Sequence, residues 1–274
     1  MTVPTLAGRR VFVVGASSGI GRAVAVGAVR AGAEVVMTAR RKDRLDDAVA
    51  EAGGGTAVDA DVAKPEECAR AAERAGRHLG QIDLVVFAAG MAPLRRIEET
   101  TAGDWAATMA TNVVGLNLLT SALLPRLAPG AVVAALSSEA VDHARYGLVA
   151  YGASKAALDA SLRHWRVEHP EIRFTCVAVG STVGTDFSAG FDRELLASAY
   201  KAWTKQGLTQ KTYMKADDVG AVLLGLLATS LAFPGVSLEQ VTLRSPAGAF
   251  DDADLVAEGP ARAQTDSAST SGAK

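Results

Sequence analysis

Short apolar runs of strand length alternate along the chain with longer stretches whose apolar residues recur at helical spacing, and Gly or polar turns separate the two. The pattern predicts strands near residues 10–14, 34–38, 56–60, 83–87, 131–136, 172–178 and 238–243. It predicts helices near residues 20–31, 42–52, 66–78, 102–127, 151–168 and 216–228. Such alternation builds βαβ units, and runs such as Val11-Phe12-Val13-Val14, apolar at every position, suit strands covered on both faces. The expected class is α/β: one doubly wound parallel sheet of about seven strands, with helices on both sides.

Between residues 188 and 215 the pattern loosens. Phe191, Tyr200, Trp203, Tyr213 and Met214 are scattered among charges, with Phe187 just before them. Two readings stand: a lid over a substrate, or a helical insertion with its own small apolar contact to the core. Residues 258–274 are small and polar without any hydrophobic period, so the folded domain is expected to span residues 1–257 and the remainder to be a disordered tail.

Composition narrows the function classes. Of 274 residues, 49% are hydrophobic and 21% charged, which suits a globular chain with a sizeable core. A net charge of −2 supplies no basic excess, so neither nucleic acid nor an anionic membrane is an expected partner. Cys68 and Cys176 lie far apart and outside any Cys/His cluster, and the four histidines show no ligand spacing, so no metal site or disulfide framework is expected. The apolar stretches, such as residues 218–233, fall short of the roughly 20 residues that span a bilayer. The first residues lack the charged start, apolar run and cleavage site of a signal peptide. A cytoplasmic protein is expected.

The first strand ends in Val14-Gly15-Ala16-Ser17-Ser18-Gly19-Ile20-Gly21 and leads into a helix. Glycines at such a turn let backbone approach a pyrophosphate, whose charge the amides and the positive helix end stabilise. Roughly 20 residues on, where an acid would meet an adenosine ribose, the second strand ends in Arg40-Arg41. Arginine makes paired, charge-assisted contacts to a 2′-phosphate, so NADP(H) is favoured over NAD(H); the plainer reading is a solvated basic start to the next helix.

Further on, Tyr151-Gly152-Ala153-Ser154-Lys155 opens a helical segment, which puts the Tyr151 and Lys155 side chains on one face, a turn apart. A neighbouring ammonium lowers a phenol's pKa and fits Tyr151 for general acid–base work. Ser138 closes the fifth strand, at the carboxyl edge where open α/β sheets bind ligands, and can donate to a substrate oxygen. His143 lies between the two, as a substrate contact or a plain loop residue.

With the GxxxGxG turn, the strand-end Ser138, the YxxxK segment and Asn112, the chain resembles the short-chain dehydrogenase/reductase family over about residues 8–243. The resemblance implies a Rossmann-like fold and a catalytic tetrad at Asn112, Ser138, Tyr151 and Lys155. It implies that Tyr151 passes the proton, Ser138 polarises the carbonyl, Lys155 binds the nicotinamide ribose and depresses the Tyr151 pKa, and Asn112 holds a water leading from Lys155. Cofactor contacts are implied at Gly15, Ser17, Ser18, Gly19, Ile20, Gly21, Arg40, Arg41, Asp61, Val62, Ala88, Ala89, Gly90, Gly180 and Thr185, besides Tyr151 and Lys155. The chain departs from the family pattern at Val14, where a threonine is usual, at Phe87-Ala88-Ala89-Gly90, where NNAG is usual, and at Val179-Gly180, where Pro-Gly is usual.

The expected function is an NADP(H)-dependent oxidoreductase interconverting a ketone or aldehyde and an alcohol on a mainly apolar small molecule, acting as a reductase. The alternative is a catalytically silent NADP(H)-binding regulator on the same fold. A homodimer or homotetramer, paired through the helices at 102–127 and 151–168, is expected from the resemblance.

Overall fold

The computed structural model describes residues 5–246 and 248–250; the expected tail at 258–274 lies outside the described residues. The chain begins β1 (Arg10–Val14), α1 (Gly19–Arg30), β2 (Glu34–Ala39), α2 (Lys42–Ala52), β3 (Thr56–Asp59), α3 (Pro65–Leu79) and β4 (Ile82–Phe87). A long helical run follows, α4 (Ala102–Met109) and α5 (Gly115–Leu123), and then β5 (Leu127–Ser138), α6 (Val149–Glu168) and β6 (Arg173–Val179). The last part holds β7 (Thr182–Val183), α7 (Arg193–Lys205), β8 (Met214–Lys215), α8 (Ala216–Ala232) and β9 (Gln240–Leu243).

Seven strands form one parallel sheet in the order β3-β2-β1-β4-β5-β6-β9, as the periodicity predicts. The chain winds outward from β1 on one side and from β4 on the other, so the strand order reverses between them and opens a crevice at their carboxyl ends. Alternate side chains of β1 serve opposite faces. Val11 and Val13 join Val24 of α1 with Leu223 and Leu227 of α8, whereas Phe12 and Val14 join Leu116 and Leu119 of α5 with Leu158 of α6. With both faces covered, each layer fixes the height at which a strand end meets the crevice.

Two of the differences from the sequence expectation have a plain cause. β5 starts at Leu127 rather than 131, because Pro129-Gly130 is absorbed in a register shift against β4, with Gly130 at φ +73°. The helix expected over 102–127 is interrupted by a π turn at Ala110–Val114, which sets Asn112 in the wall of the crevice. The run Ala102–Arg126 spans 25 residues and holds an 18-residue window of mean hydropathy 1.4, long and apolar enough to cross a membrane by length and composition. Its apolarity has a use in the fold, since Leu116, Leu119 and Leu123 are buried against the sheet.

Within the loosely patterned 188–215 stretch, Asp192 caps α7 by accepting the Leu195 N–H at 2.9 Å. The helix packs a small third core: Ala199 is buried with Leu94 and Leu148, and Phe191, Leu195, Leu196, Trp203 and Tyr151 pack around them. The stretch thus holds a helix with its own small apolar contact. It also ties Leu94, Phe191 and Trp203 into protein contacts.

Candidate active site

The glycine turn is close-packed backbone. A Cβ on Gly15 (φ +87°) would lie 2.5 Å from Ala89 N, and one on Gly21 only 2.2 Å from Gly15 O. The Gly15 and Ala16 N–H groups both donate to Thr38 O, and Ala88 N–H donates to Val14 O, which ties β1 to β2 and β4 through backbone. Ser18 is the α1 N-cap residue, yet no side chain caps the helix. That leaves the positive end of α1 facing the crevice, beside the Ser17 and Ser18 hydroxyls.

Arg41 turns back to this site. Its Nη2 donates to Ser18 Oγ (3.0 Å) and Ser17 Oγ (3.2 Å), and its Nη1 donates to Asp186 Oδ2 at 2.6 Å. Arg44, one turn further along α2, reaches the same Asp186 oxygen at 2.7 Å. Arg40 is exposed. The guanidinium groups that the structure brings to the glycine turn are those of Arg41 and Arg44, three residues apart where α2 begins at Lys42, while Arg40, exposed like Arg41, stands at the end of β2. An uncapped helix start, two hydroxyls and two guanidinium groups fit a phosphorylated dinucleotide.

Asp61 spends one carboxylate oxygen on the Ala63 N–H (3.0 Å), and Val62 is buried in the core. Ala88 and Ala89 are half-buried and Gly90 is exposed at the crevice floor. Gly180 donates its N–H to Leu243 O, and Thr185 lies against Gly19, whose Cβ would be 3.1 Å from Thr185 Cγ2. Thr185 thus sits at the glycine turn.

The catalytic candidates meet where β5 ends and α6 begins. Ser138 is paired in register with Val179, and its Oγ accepts the Ala140 N–H at 3.1 Å. That leaves the hydroxyl hydrogen unspent on this contact, and the Ser138 side chain counts among the groups that hold the Tyr151 phenol down. Lys155 is 3% exposed, and its Nζ donates to Leu136 O at 2.7 Å and stands 5.7 Å from the Tyr151 ring centroid. Asn112 is fully buried: Oδ1 accepts the Met91 N–H (2.9 Å), and Nδ2 donates to Met91 O (2.9 Å) and Ser154 Oγ (2.8 Å). A Cβ on Gly90 would lie 3.5 Å from both Asn112 Oδ1 and Lys155 Nζ. Both polar atoms therefore border the same place beside Gly90.

Burial dominates the electrostatics of Tyr151 and Lys155. Burial pushes the Tyr151 phenol above its usual range, and the groups that oppose this are the Ser138 hydroxyl and the Arg145 charge. Lys155 Nζ stands 5.7 Å from the Tyr151 ring centroid and donates to the Leu136 carbonyl, and burial pulls its ammonium down to about 8.

The pattern describing the short chain dehydrogenase family matches residues 9–195. The chain belongs to the short-chain dehydrogenase/reductase family. Over 182 residues it is 33% identical to L-xylulose reductase of Mus musculus, covering 65% of this chain and 72% of that protein. It is 34% identical over 199 residues to glycine betaine reductase ATRR of Emericella nidulans, covering 70% of this chain and 16% of that protein. Against the first curated relatives the chain spans between 16% and 65% of their length. A short chain dehydrogenase from Burkholderia cenocepacia J2315, solved in complex with NADP, superposes with a TM-score of 0.76 at 26% identity, covering 88% of this chain and 98% of that one.

For a short-chain dehydrogenase the chain carries several site groups that the sequence reading passed over. Glu139, 6% exposed, is held between Arg244 Nε (2.9 Å from Oε1) and Arg145 Nη2 (3.7 Å from Oε2). Arg145 also lies 5.9 Å from the Trp203 ring, so α7 helps to fix the cation that acts on Tyr151. Arg44 and Asp186 complete the cluster at the glycine turn. His143 is exposed on the turn after Glu139. Among the described residues no group of three potential metal ligands occurs, and both cysteines are buried with their thiols pushed up, Cys68 to about 11 and Cys176 to about 12.

Proposed function

We propose that this chain is an NADP(H)-dependent oxidoreductase that interconverts a ketone or aldehyde and an alcohol on a small molecule, working as a reductase. The observation that carries the reading is the meeting of Ser138, at the carboxyl edge of β5, with the start of α6, where the Lys155 ammonium stands 5.7 Å from the Tyr151 ring centroid, one helical turn away. The bound cofactor supplies the hydride. Tyr151 gives its phenolic proton to the oxygen of the carbonyl being reduced, and Ser138 donates to the same oxygen, so charge developing there is stabilised by two hydroxyls. The phenolate left behind is stabilised by Arg145 and is reprotonated through Lys155, whose Nζ borders the same place beside Gly90 as Asn112 Oδ1. Lys155, close to 8, can both lose and regain a proton near neutral pH.

The 2′-phosphate preference rests on Arg41 and Arg44, with Ser17 and Ser18 beside them and no acid at the end of β2. An NADP complex of a relative at 26% identity supports the same choice. A cytoplasmic homodimer or homotetramer completes the proposal. The test is NADPH oxidation against a panel of ketones and aldehydes, with Tyr151→Phe as the control. Turnover on at least one carbonyl, lost in Tyr151→Phe while NADPH binding persists, is the expected result. Tight NADPH binding with no turnover on any member would overturn the enzyme assignment in favour of a binding protein.

A further inference from the structure

The segment leaving β6 crosses the crevice in which the proposed function seats its cofactor. Thr182 and Val183 pair in parallel with Met214 and Lys215, and the Met214 N–H donates to Ser181 O at 3.1 Å. After Gly184 (φ +78°) the chain turns over the site. Three consecutive side chains then touch three parts of it: Thr185 lies on Gly19, Asp186 is shared between Arg41 (2.6 Å) and Arg44 (2.7 Å), and Phe187 packs edge-on to the Tyr151 ring at 5.0 Å between centroids. Phe191 backs Phe187 at 5.4 Å. The strap therefore spans from the glycine turn to the phenol.

We propose that this strap is an autoinhibitory latch: Asp186 occupies the arginine pair as an internal stand-in for a 2′-phosphate, so a nucleotide must displace residues 185–187 before it can bind. The inference rests on the NADP(H) reading above. The Arg41 and Asp186 side chains are 42% and 41% exposed, so the latch is an ion pair in contact with water, strong enough to bias the strap and weak enough to yield. A phosphomonoester carries about 1.5 to 2 negative charges and three acceptor oxygens against the single charge and two oxygens of a carboxylate, so it can take over both guanidinium groups. The shared contact on Gly19 means that any nucleotide whose pyrophosphate approaches α1 must lift Thr185 as well. Apparent affinity is then the intrinsic affinity scaled by the fraction of molecules with the strap released.

The latch is tested on the cofactor-free full chain with 2′,5′-ADP and ADP as probes, by calorimetry and by hydrogen exchange of residues 181–187. Asp186→Asn and Asp186→Ala should tighten 2′,5′-ADP about five-fold and ADP by a comparable factor, since both need the strap released. Both variants should also speed amide exchange across the strap before ligand is added. Unchanged or weaker 2′,5′-ADP binding in these variants, with Arg41→Ala and Arg44→Ala still losing affinity, would overturn the latch and leave the NADP(H) reading standing. A gain absent from ADP would mark plain charge repulsion and would also overturn it. If the wild type shows no preference for 2′,5′-ADP over ADP and the arginine variants change nothing, the NADP(H) reading fails and the latch falls with it.

Discussion

Lys155 is expected to cost the protein stability, and Lys155→Met should expose that cost. The ammonium is 3% exposed, its one hydrogen-bond partner is Leu136 O, and the nearest favourable charge is Asp159, whose Oδ1 already accepts from Cys176 Sγ. Burial pulls its pKa from 10.5 to about 8, and at about 1.4 kcal/mol per unit the buried cation costs roughly 3 kcal/mol. Methionine has similar length and no charge, but it leaves the Leu136 carbonyl unpaired at a cost of about 1 to 2 kcal/mol. The net gain is about 1 to 2 kcal/mol, or a few degrees in Tm for a chain of this size. The pH dependence has a definite sign. Below about 8 the lysine is protonated in both folded and unfolded chains, so the whole penalty is present. Between about 8 and 10.5 the unfolded chain binds more protons, and wild-type stability rises with pH. Thermal unfolding of the cofactor-free protein should therefore show the variant ahead near neutral pH and the gap closing towards pH 10, while carbonyl reduction is lost. A variant that melts below wild type by the same margin at both pH values would refute the reasoning.

Two substitutions probe the frame around the site. Gly21→Ala would place a Cβ 2.2 Å from Gly15 O and force the glycine turn apart; a loss above about 2 kcal/mol, read as a fall in Tm, and failed nucleotide binding are expected. An unchanged melt would show that the turn yields freely. Asn112→Ala strips the buried partners from both backbone groups of Met91, and about 3 kcal/mol is expected in chemical denaturation; a change below about 0.5 kcal/mol would mean that water replaces the amide.

The parallel sheet of about seven strands, the glycine turn and the Ser138–Tyr151–Lys155 grouping were legible because each rests on local periodicity or on one helical turn. Tyr151 and Lys155 share a face of α6 whatever the rest of the chain does, and Ser138 must lie at a carboxyl edge once β5 is a parallel strand. What escaped depends on contacts between distant segments. Asp186 meets Arg41 and Arg44 across more than 140 positions of sequence, and no spacing rule announces that pairing. Arg44 left a faint signal in its one-turn offset from Arg41. Arg145 left none, because its influence on Tyr151 follows from burial under Trp203 and from sharing Glu139 with Arg244. The π turn at Asn112 is likewise invisible to apolar period, since a single widened turn leaves both flanking helices in phase with the core.

The departures at Val14 and at Ala88-Ala89 remove side-chain hydrogen bonds from the centre of the sheet, and the structure shows why the site survives them. Three of the four catalytic candidates are anchored to main chain: Ser138 by the Ala140 N–H, Lys155 by Leu136 O, Asn112 by both polar atoms of Met91. The β1–β4 junction is likewise closed by Ala88 N–H on Val14 O, while Val14 itself is buried with Phe87. A side-chain bond between two strands fixes one pair of atoms, but a backbone ladder fixes the strands over their whole length, so apolar packing at Val14 and Phe87 can replace polar contacts there without moving Gly90. Gly90 is the point at which that rigidity matters, because Asn112 Oδ1 and Lys155 Nζ both approach it at 3.5 Å from where a Cβ would stand. Positional accuracy at the proton-handling end of the site thus comes from the sheet, whereas the phosphate end depends on exposed ion pairs held by a strap that is free to leave.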